Sequence, residues 1–129
     1  MTGITGLHHV QVAAPEGCEE EARRFYGELL GLSELEKPPI LAARGGCWFA
    51  LGQGELHVGV EESFRPAAKA HPALRVESRA ALDALATSLE SAGVEVRWAD
   101  AAEIPGQQRF FVGDPWGNRL ELVVPTSTG

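Results

Sequence analysis

The chain has 129 residues, about the length of one domain on a prior of ~150 residues per domain. Hydrophobic residues make up 44% of it and charged residues 22%, which are ordinary globular values and argue against intrinsic disorder. Eighteen acidic residues against eleven basic ones give a net charge of -7, which argues against a surface that follows nucleic acid phosphates.

Neither a membrane nor an oxidising compartment is indicated. No apolar run approaches the ~18 residues that cross a bilayer. The first stretch, residues 1–14, lacks the basic start and the cleavage site of a signal peptide. Cys18 and Cys47 cannot form a disulfide framework and lack close metal-ligand spacing. We therefore expect a cytoplasmic protein that binds neither nucleic acid nor membrane.

The first half of the chain opens with an extended segment from Leu7 to Ala14. A helix follows from about Glu19 to Leu30, closed by Gly31, where a left-handed cap is expected. Three short extended segments then end near Val60. Hydrophobic periodicity places Ala22, Phe25 (or Tyr26) and Leu29 on one apolar stripe of this helix. We interpret Tyr26 as a helix-face residue whose hydroxyl reaches water.

The second half repeats this order. It reads as an extended segment from His71 to Val76, a helix from about Ala80 to Ala92 closed by Gly93, and extended segments that end near Val124. The turn at residues 114–118 joins the last two of these segments, since its proline and glycine favour a tight turn.

Two pairs of landmarks share one offset. Gly31 and Gly93 are 62 positions apart, and so are His9 and His71. We therefore predict a duplicated unit of strand, helix and three strands within one domain. The predicted parts are module one at 1–61, a linker at 62–70 and module two at 71–129.

Four strands have an apolar face and an opposite face that carries His or Glu, because strand side chains alternate between faces. The candidates on the opposite faces are His9, His57, His71 and Glu121. Three imidazoles and a carboxylate brought to one point form a site for a divalent metal such as Zn, Ni, Mn or Fe. Such a metal acts as a Lewis acid on a bound carbonyl.

A second interpretation of the same pattern is a solvated sheet face, on which His57 beside Glu55 is an ordinary exposed pair. The sequence also leaves open whether His57 or Glu55 faces the site. Candidate substrate-pocket residues are Gln11, Glu55, Arg75, Trp48, Phe111 and Trp116. Gln11 lies two places after His9 and Arg75 four places after His71, so they share the strand face of those histidines and could orient ligands or substrate. The aromatic residues could instead be simple packing residues.

The segments 7–10 and 22–32 resemble the opening of the vicinal oxygen chelate superfamily. That superfamily includes glyoxalase I, bleomycin-resistance proteins, fosfomycin-resistance transferases and extradiol dioxygenases. Residues 71–76 and 114–122 are similar to its other two landmarks, of which the Asp-Pro-x-Gly-Asn turn before a glutamate-bearing strand is the more specific. The resemblance implies an α+β fold of two βαβββ modules that form a cupped mixed sheet around the metal.

The same resemblance implies metal ligands at His9, His57, His71 and Glu121, a small-molecule substrate and a homodimer. Glyoxalase I usually carries a carboxylate where His57 stands, so its strict activity is not expected. The leading hypothesis is a metal-dependent isomerase or lyase acting on a substrate with adjacent chelating oxygens. Glu121 would be its general base.

Three alternatives remain. A His-His-Glu set also resembles the metal sites of extradiol dioxygenases and fosfomycin transferases, which allows a dioxygenase-like member. A metal-free drug-binding protein of the bleomycin-resistance type is the second, and the aromatic residues and acidic charge suit it. The third is a structural member that has lost both functions.

Overall fold

Each half of the chain folds around its own four-stranded sheet in the computed structural model, which describes residues 2–125. The chain divides into unit one, residues 1–65, and unit two, residues 66–129. This division falls inside the predicted linker. None of the helices in the described part of the chain is long and apolar enough to cross a membrane.

Unit one contains a mixed sheet in which β1 is parallel to β4 and the other pairs are antiparallel. The spatial order of its strands is β1-β4-β3-β2. Its elements are β1 (His9–Ala14), α1 (Glu19–Ala22), a π-helix (Arg23–Leu29), β2 (Glu34–Leu35), α2 (Pro39–Ala42), β3 (Cys47–Leu51) and β4 (Gly54–Val60).

Unit two repeats the arrangement, with β5 parallel to β8 and the order β5-β8-β7-β6. Its elements are β5 (Ala73–Arg75), α3 (Arg79–Ser91), β6 (Arg97–Trp98), β7 (Gln108–Gly113) and β8 (Arg119–Val124). The α+β class and the βαβββ order of both modules are therefore confirmed, while the one-turn helix α2 was not predicted.

The long helix of unit two has the ends that its sequence predicts. Ser78 caps it by accepting a hydrogen bond from the backbone N–H of Ala81 at 3.1 Å. Gly93 follows it in the left-handed region, with φ 85°. The face with Leu82 and Leu89 is fully buried, so the amphipathic pattern determines which side packs on the sheet.

The first helix differs from its prediction, because its second part is a π-helix. Leu30 donates its N–H to the carbonyl of Phe25, five residues earlier, at 3.0 Å. The wider turn places both Phe25 and Tyr26 in the core, and Tyr26 is 0% exposed. The expectation that the Tyr26 hydroxyl reaches water is therefore wrong.

Strand alternation determines the core of each unit. In β4, Leu56 and Val58 are buried on the helix side, and in β8 Leu120 and Leu122 are buried in the same way. The side chains between them in the sequence occupy the opposite face, on which the site residues lie.

Gly46 occupies a position that permits no side chain. Its φ is 85°, and a Cβ built there would lie 2.2 Å from the carbonyl oxygen of Val58. Its N–H donates to Oε2 of Glu19 at 2.7 Å. This hydrogen bond holds the pKa of Glu19 below its ordinary value.

We expect Gly46→Ala to reduce the free energy of unfolding by about 2–4 kcal/mol, since left-handed strain and overpacking act together. Gly31→Ala is the matched control, because Gly31 has φ 78° and nothing within 4 Å of its Cβ position. It should lose only the strain contribution of about 1–2 kcal/mol. Urea denaturation of both variants measures the difference, and equal losses would contradict the steric account.

Candidate metal centre and substrate face

Parallel pairing of β5 with β8 brings together the two predicted ligands of unit two. Ala73 is opposite Glu121, and His71 lies two residues before Ala73 on the same side of the chain. The His71 Nε2 atom is 3.3 Å from Oε1 of Glu121. Unit two therefore places an imidazole and a carboxylate together on the face opposite α3.

The other ring nitrogen of His71 determines the chemistry of this pair. Nδ1 lies 2.9 Å from the carbonyl oxygen of Lys69, and a carbonyl only accepts hydrogen bonds. Nδ1 therefore carries a proton, and in neutral His71 the lone pair is on Nε2. That lone pair faces a carboxylate oxygen, so the contact requires either a proton between the two atoms or a cation that both atoms bind.

This arrangement fits a divalent metal. A histidine ligand commonly donates its second N–H to a backbone carbonyl, as Nδ1 of His71 does. A separation of 3.3 Å is also what two ligands of one ion have when each bond is about 2.0–2.2 Å. Oε2 of Glu121 has no hydrogen bond to any of residues 2–125. A cation bound here would find two donors already oriented.

A guanidinium group shares the carboxylate of Glu121. Nη1 of Arg109 lies 3.5 Å from Oε1 of Glu121, and Nη2 lies 3.7 Å from Glu103. Glu121 is only 8% exposed, so these polar contacts hold a carboxylate that has lost most of its water. Arg109 therefore neutralises Glu121 in part and limits its rotation.

Phe111 lies between two guanidinium groups on this face. Arg119 is 4.3 Å from its ring centroid and Arg109 is 5.4 Å away. The His71 ring meets Phe111 edge-on, with centroids 5.7 Å apart. The predicted pocket residue Arg75 lies on the same face, opposite Val123, and is exposed. Phe111 thus joins the His71–Glu121 pair to a basic region.

The predicted ligands of unit one form an aromatic stack. The His57 ring is parallel to Trp48 at 4.2 Å on one side and to His9 at 4.3 Å on the other. Nε2 of His57 donates to Oε1 of Glu55 at 2.8 Å when the carboxylate is ionised. The hydrogen bond to His57 is the main reason that the pKa of Glu55 lies below its ordinary value.

This stack corrects the solvated-face interpretation at one residue. His57 is 6% exposed because both of its ring faces are covered, whereas His9 is exposed. His57 and Glu55 both lie on the site face, and the hydrogen bond engages the Nε2 atom of His57. The Glu55 side chain is 30% exposed and the His57 side chain 7%, so Glu55 is the more accessible of the two candidate ligands.

An open cavity of about 240 Å³ borders the stack within unit one. Gln11 and Trp48 line it together with His57, and Lys37 and Arg44 supply positive charge. Lys37 lies 5.8 Å from the Trp48 ring centroid. The predicted pocket residues Gln11 and Trp48 therefore do line a cavity, and it is basic.

Trp116 has a role in the turn between β7 and β8. Its backbone N–H donates to Oδ1 of the buried Asp114 at 3.0 Å, and Asn118 donates to the same oxygen at 2.8 Å. Gly117 supplies the positive φ of 91°. The side chain of Trp116 is half-buried, and the turn holds the start of the strand that carries Glu121.

The described residues contain no group of three or more His, Cys, Asp or Glu side chains arranged for a metal. Each unit instead contributes a pair or a stack: His71 with Glu121, and His9 with His57. The assignment of all four to one ion stays a prediction. The thiols add no ligand, since burial raises the pKa of Cys18 to about 11 and also raises that of Cys47.

Comparisons with known proteins decide the family. The model of the Glyoxalase/Bleomycin resistance protein/Dioxygenase superfamily matches residues 6–122. The chain belongs to this superfamily. A crystal structure of a Bacillus anthracis protein assigned to the glyoxalase family is similar at 49% identity and a TM-score of 0.88, covering 98% of this chain and 99% of that one.

Two more distant structures share the fold alone. Lactoylglutathione lyase from Agrobacterium tumefaciens is 20% identical with a TM-score of 0.72, covering 95% of this chain and 96% of that one. The fosfomycin resistance protein FosX from Listeria monocytogenes is 16% identical with a TM-score of 0.75, covering 95% of each chain. No curated protein matches the chain. Superfamily membership thus confirms the resemblance and leaves the specific reaction open.

Sequence reasoning placed Arg119 on the strand face of Glu121 but assigned it no role, and it missed Arg109. Arg109 lies two residues before Phe111 on β7, and Arg119 two residues before Glu121 on β8, so strand alternation places both on the site face. That signal was present in the sequence. The partners of Arg109, by contrast, depend on the β7–β8 register and on a loop residue, Glu103.

We expect His57→Phe to raise the pKa of Glu55 toward its ordinary value. Phenylalanine keeps an aromatic ring between Trp48 and His9 but has no N–H to donate to the ionised carboxylate. A carboxyl-detected NMR titration measures the change. Trp48→Phe is the control, since it alters the stack and leaves the donor, and an unchanged pKa in His57→Phe would refute the cause assigned here.

Proposed function

We propose that this superfamily member is a metal-dependent enzyme that acts on a small substrate with adjacent oxygens, by an isomerase- or lyase-type proton transfer. The observation that supports it most is the His71–Glu121 pair, in which the Lys69 carbonyl fixes the proton on Nδ1 and leaves Nε2 facing a carboxylate oxygen.

In this proposal His71 and Glu121 hold a divalent cation, and the family resemblance implies His9 and His57 as further ligands. The Nε2 atom of His57 is engaged by Glu55, so Glu55 is the alternative oxygen ligand from the same strand. The bound metal would supply Lewis acidity, polarising a carbonyl and acidifying the carbon beside it.

Glu121 is the proposed base. Its Oε1 atom is held by Arg109 and His71, while Oε2 has no hydrogen bond within residues 2–125 and is available to accept a proton. The Glu121 side chain as a whole is only 11% exposed, so few water molecules compete with a substrate for Oε2. This limited access of water suits a reaction that removes a proton and returns it to the same substrate.

We expect Glu121→Gln to weaken the affinity for a divalent metal by more than about 100-fold, since loss of a ligand should exceed the 10–100-fold typical of groups that only orient ligands. Titration calorimetry with Mn²⁺ and Zn²⁺, after metal analysis of protein purified without chelator, measures it. His71→Ala should show a similar loss.

Glu103→Gln is the matched control for this experiment. Glu103 and Glu121 both pair with Arg109, at 3.7 and 3.5 Å, but only Glu121 contacts His71. A general electrostatic effect would weaken metal binding equally in both variants. Equal affinities of wild type, Glu121→Gln and Glu103→Gln would refute the metal-dependent function.

A metal-free binding protein is the second candidate, and the cavity beside the Trp48–His57 stack favours it. The basic side chains of Lys37 and Arg44 there suit a planar anionic ligand better than a cationic drug. Trp48 fluorescence quenching that is insensitive to a chelator would favour this candidate over the enzyme.

We also propose that the protein is a cytoplasmic homodimer. Family members of this fold are typically dimeric, and pairing removes exposed strand edges. The cysteines Cys18 and Cys47 are free and buried, which suits a reducing compartment.

Sedimentation equilibrium at micromolar concentration should give about twice the mass of 13.8 kDa that one chain has. Sedimentation in 1 M salt is the control, because an interface that depends on surface charge would dissociate there. A single species of monomer mass under both conditions would contradict the dimer.

A further inference from the structure

We propose that unit two contains an oxyanion-binding site at Arg119, beside Phe111 and Gly113, for a carboxylate or phosphonate group. The identification of that group as part of the substrate depends on the function proposed above. The juxtaposition that supports the site is an unpaired guanidinium stacked on Phe111 next to open space on the same sheet face.

Arg119 lacks the partners that a half-buried guanidinium normally has. Its Nε atom is buried and has no hydrogen-bond acceptor, and Arg119 forms no ion pair with any of residues 2–125. Its cation–π contact with Phe111 provides no hydrogen-bond acceptor for Nε–H. A buried donor without an acceptor is destabilising, so a ligand oxygen that accepted from Nε–H would remove that cost.

Two other arginines show what is unusual here. Arg109 also lies against Phe111 but has Glu103 and Glu121 as partners. Arg79 lies 4.5 Å over the Trp98 ring and pairs with Asp83 at 3.0 Å. Both stacked arginines are therefore charge-compensated, and Arg119 is not, in a chain whose net charge is -7.

Gly113 leaves room beside Arg119. The two residues are directly opposite each other in the antiparallel pair β7–β8, so a side chain at position 113 would share the face with Arg119. Nothing lies within 4 Å of the position that its Cβ would take, and its φ is not in the left-handed region. Backbone conformation does not require glycine here, whereas a ligand beside Arg119 does require the space.

The site adjoins the proposed metal ligands. Phe111 is opposite Glu121 in the sheet, and its ring contacts both His71 and Arg119. A substrate whose adjacent oxygens lie at the His71–Glu121 pair would extend its anionic group along Phe111 to Arg119. The planar fork of a guanidinium matches the two oxygens of a carboxylate or phosphonate. The substrate class is therefore a small oxyacid with a second pair of oxygens.

The test is an NMR titration of the metal-free protein with methylphosphonate and with acetate, at constant ionic strength set by sodium chloride. The buried Nε–H of Arg119 reports binding directly, and we expect its signal to shift and saturate. The Nε–H of Arg79 is the internal control and should not shift, because its guanidinium is already paired with Asp83.

Two variants separate the site from general charge. Gly113→Val fills the space, keeps Arg119 and suits a strand, and Arg119→Gln removes the charge; each should weaken binding at least tenfold. The oxyanion affinity of Arg119→Lys should lie between those of these two variants and that of the wild type, because lysine keeps the charge but lacks the planar guanidinium fork. Circular dichroism melting confirms that each variant is folded.

No saturable Arg119 shift, or equal affinity in wild type and Gly113→Val, would overturn the site. Because the metal is absent, this outcome is independent of the Glu121→Gln experiment. Metal binding without oxyanion binding overturns the present inference alone, and oxyanion binding without metal binding overturns the metal-dependent function alone.

Discussion

The parallel pairing of the first and last strands of each unit is the constraint on which the rest of the structure depends. It places residues about fifty positions apart on one sheet face, as with His71 and Glu121. Gln11 is opposite the candidate ligand His57 in unit one, and Ala73 is opposite the candidate ligand Glu121 in unit two. Gln11 and Ala73 are separated by the same 62 positions as His9 and His71. The duplicated register therefore gives each unit an equivalent position for a polar group beside the first strand.

The two units differ in the residue that lies two places before the candidate ligand of the last strand. In unit one the residue two places before His57 is the acid Glu55, which accepts from Nε2 and leaves His57 fixed in a stack. In unit two the equivalent place is Arg119, which turns to Phe111 and leaves the Glu121 carboxylate to Arg109 and His71. The acid Glu55 in unit one thus corresponds to the base Arg119 in unit two. As a result His57 is held by Glu55, whereas Glu121 keeps one oxygen, Oε2, without a hydrogen bond within residues 2–125.

Strand alternation and glycine position were sufficient to predict the sheets and the helix ends, because both depend on short-range geometry. Gly31 and Gly93 have the positive φ that a left-handed cap requires. A 3.6-residue period allows Tyr26 on the apolar stripe of Ala22 and Leu29, but it does not predict the π-helix in which Tyr26 and Phe25 are both buried. Parity gave the correct face for His57, but its Nε2 contact with Glu55 depends on side-chain rotamers that no pattern contains.

The ion pairs of Arg109 bear on the proposed roles of Glu121 as ligand and base. Arg109 has two acidic partners, so it would keep Glu103 if Glu121 bound a cation or accepted a proton. If Glu121 were the sole partner of Arg109, protonation of Glu121 would leave the guanidinium charge unpaired. The cost of that unpaired charge would oppose proton transfer. Because Glu103 is exposed and Glu121 is buried, the second acidic partner of Arg109 lies on its solvent side and does not need to be desolvated together with Glu121.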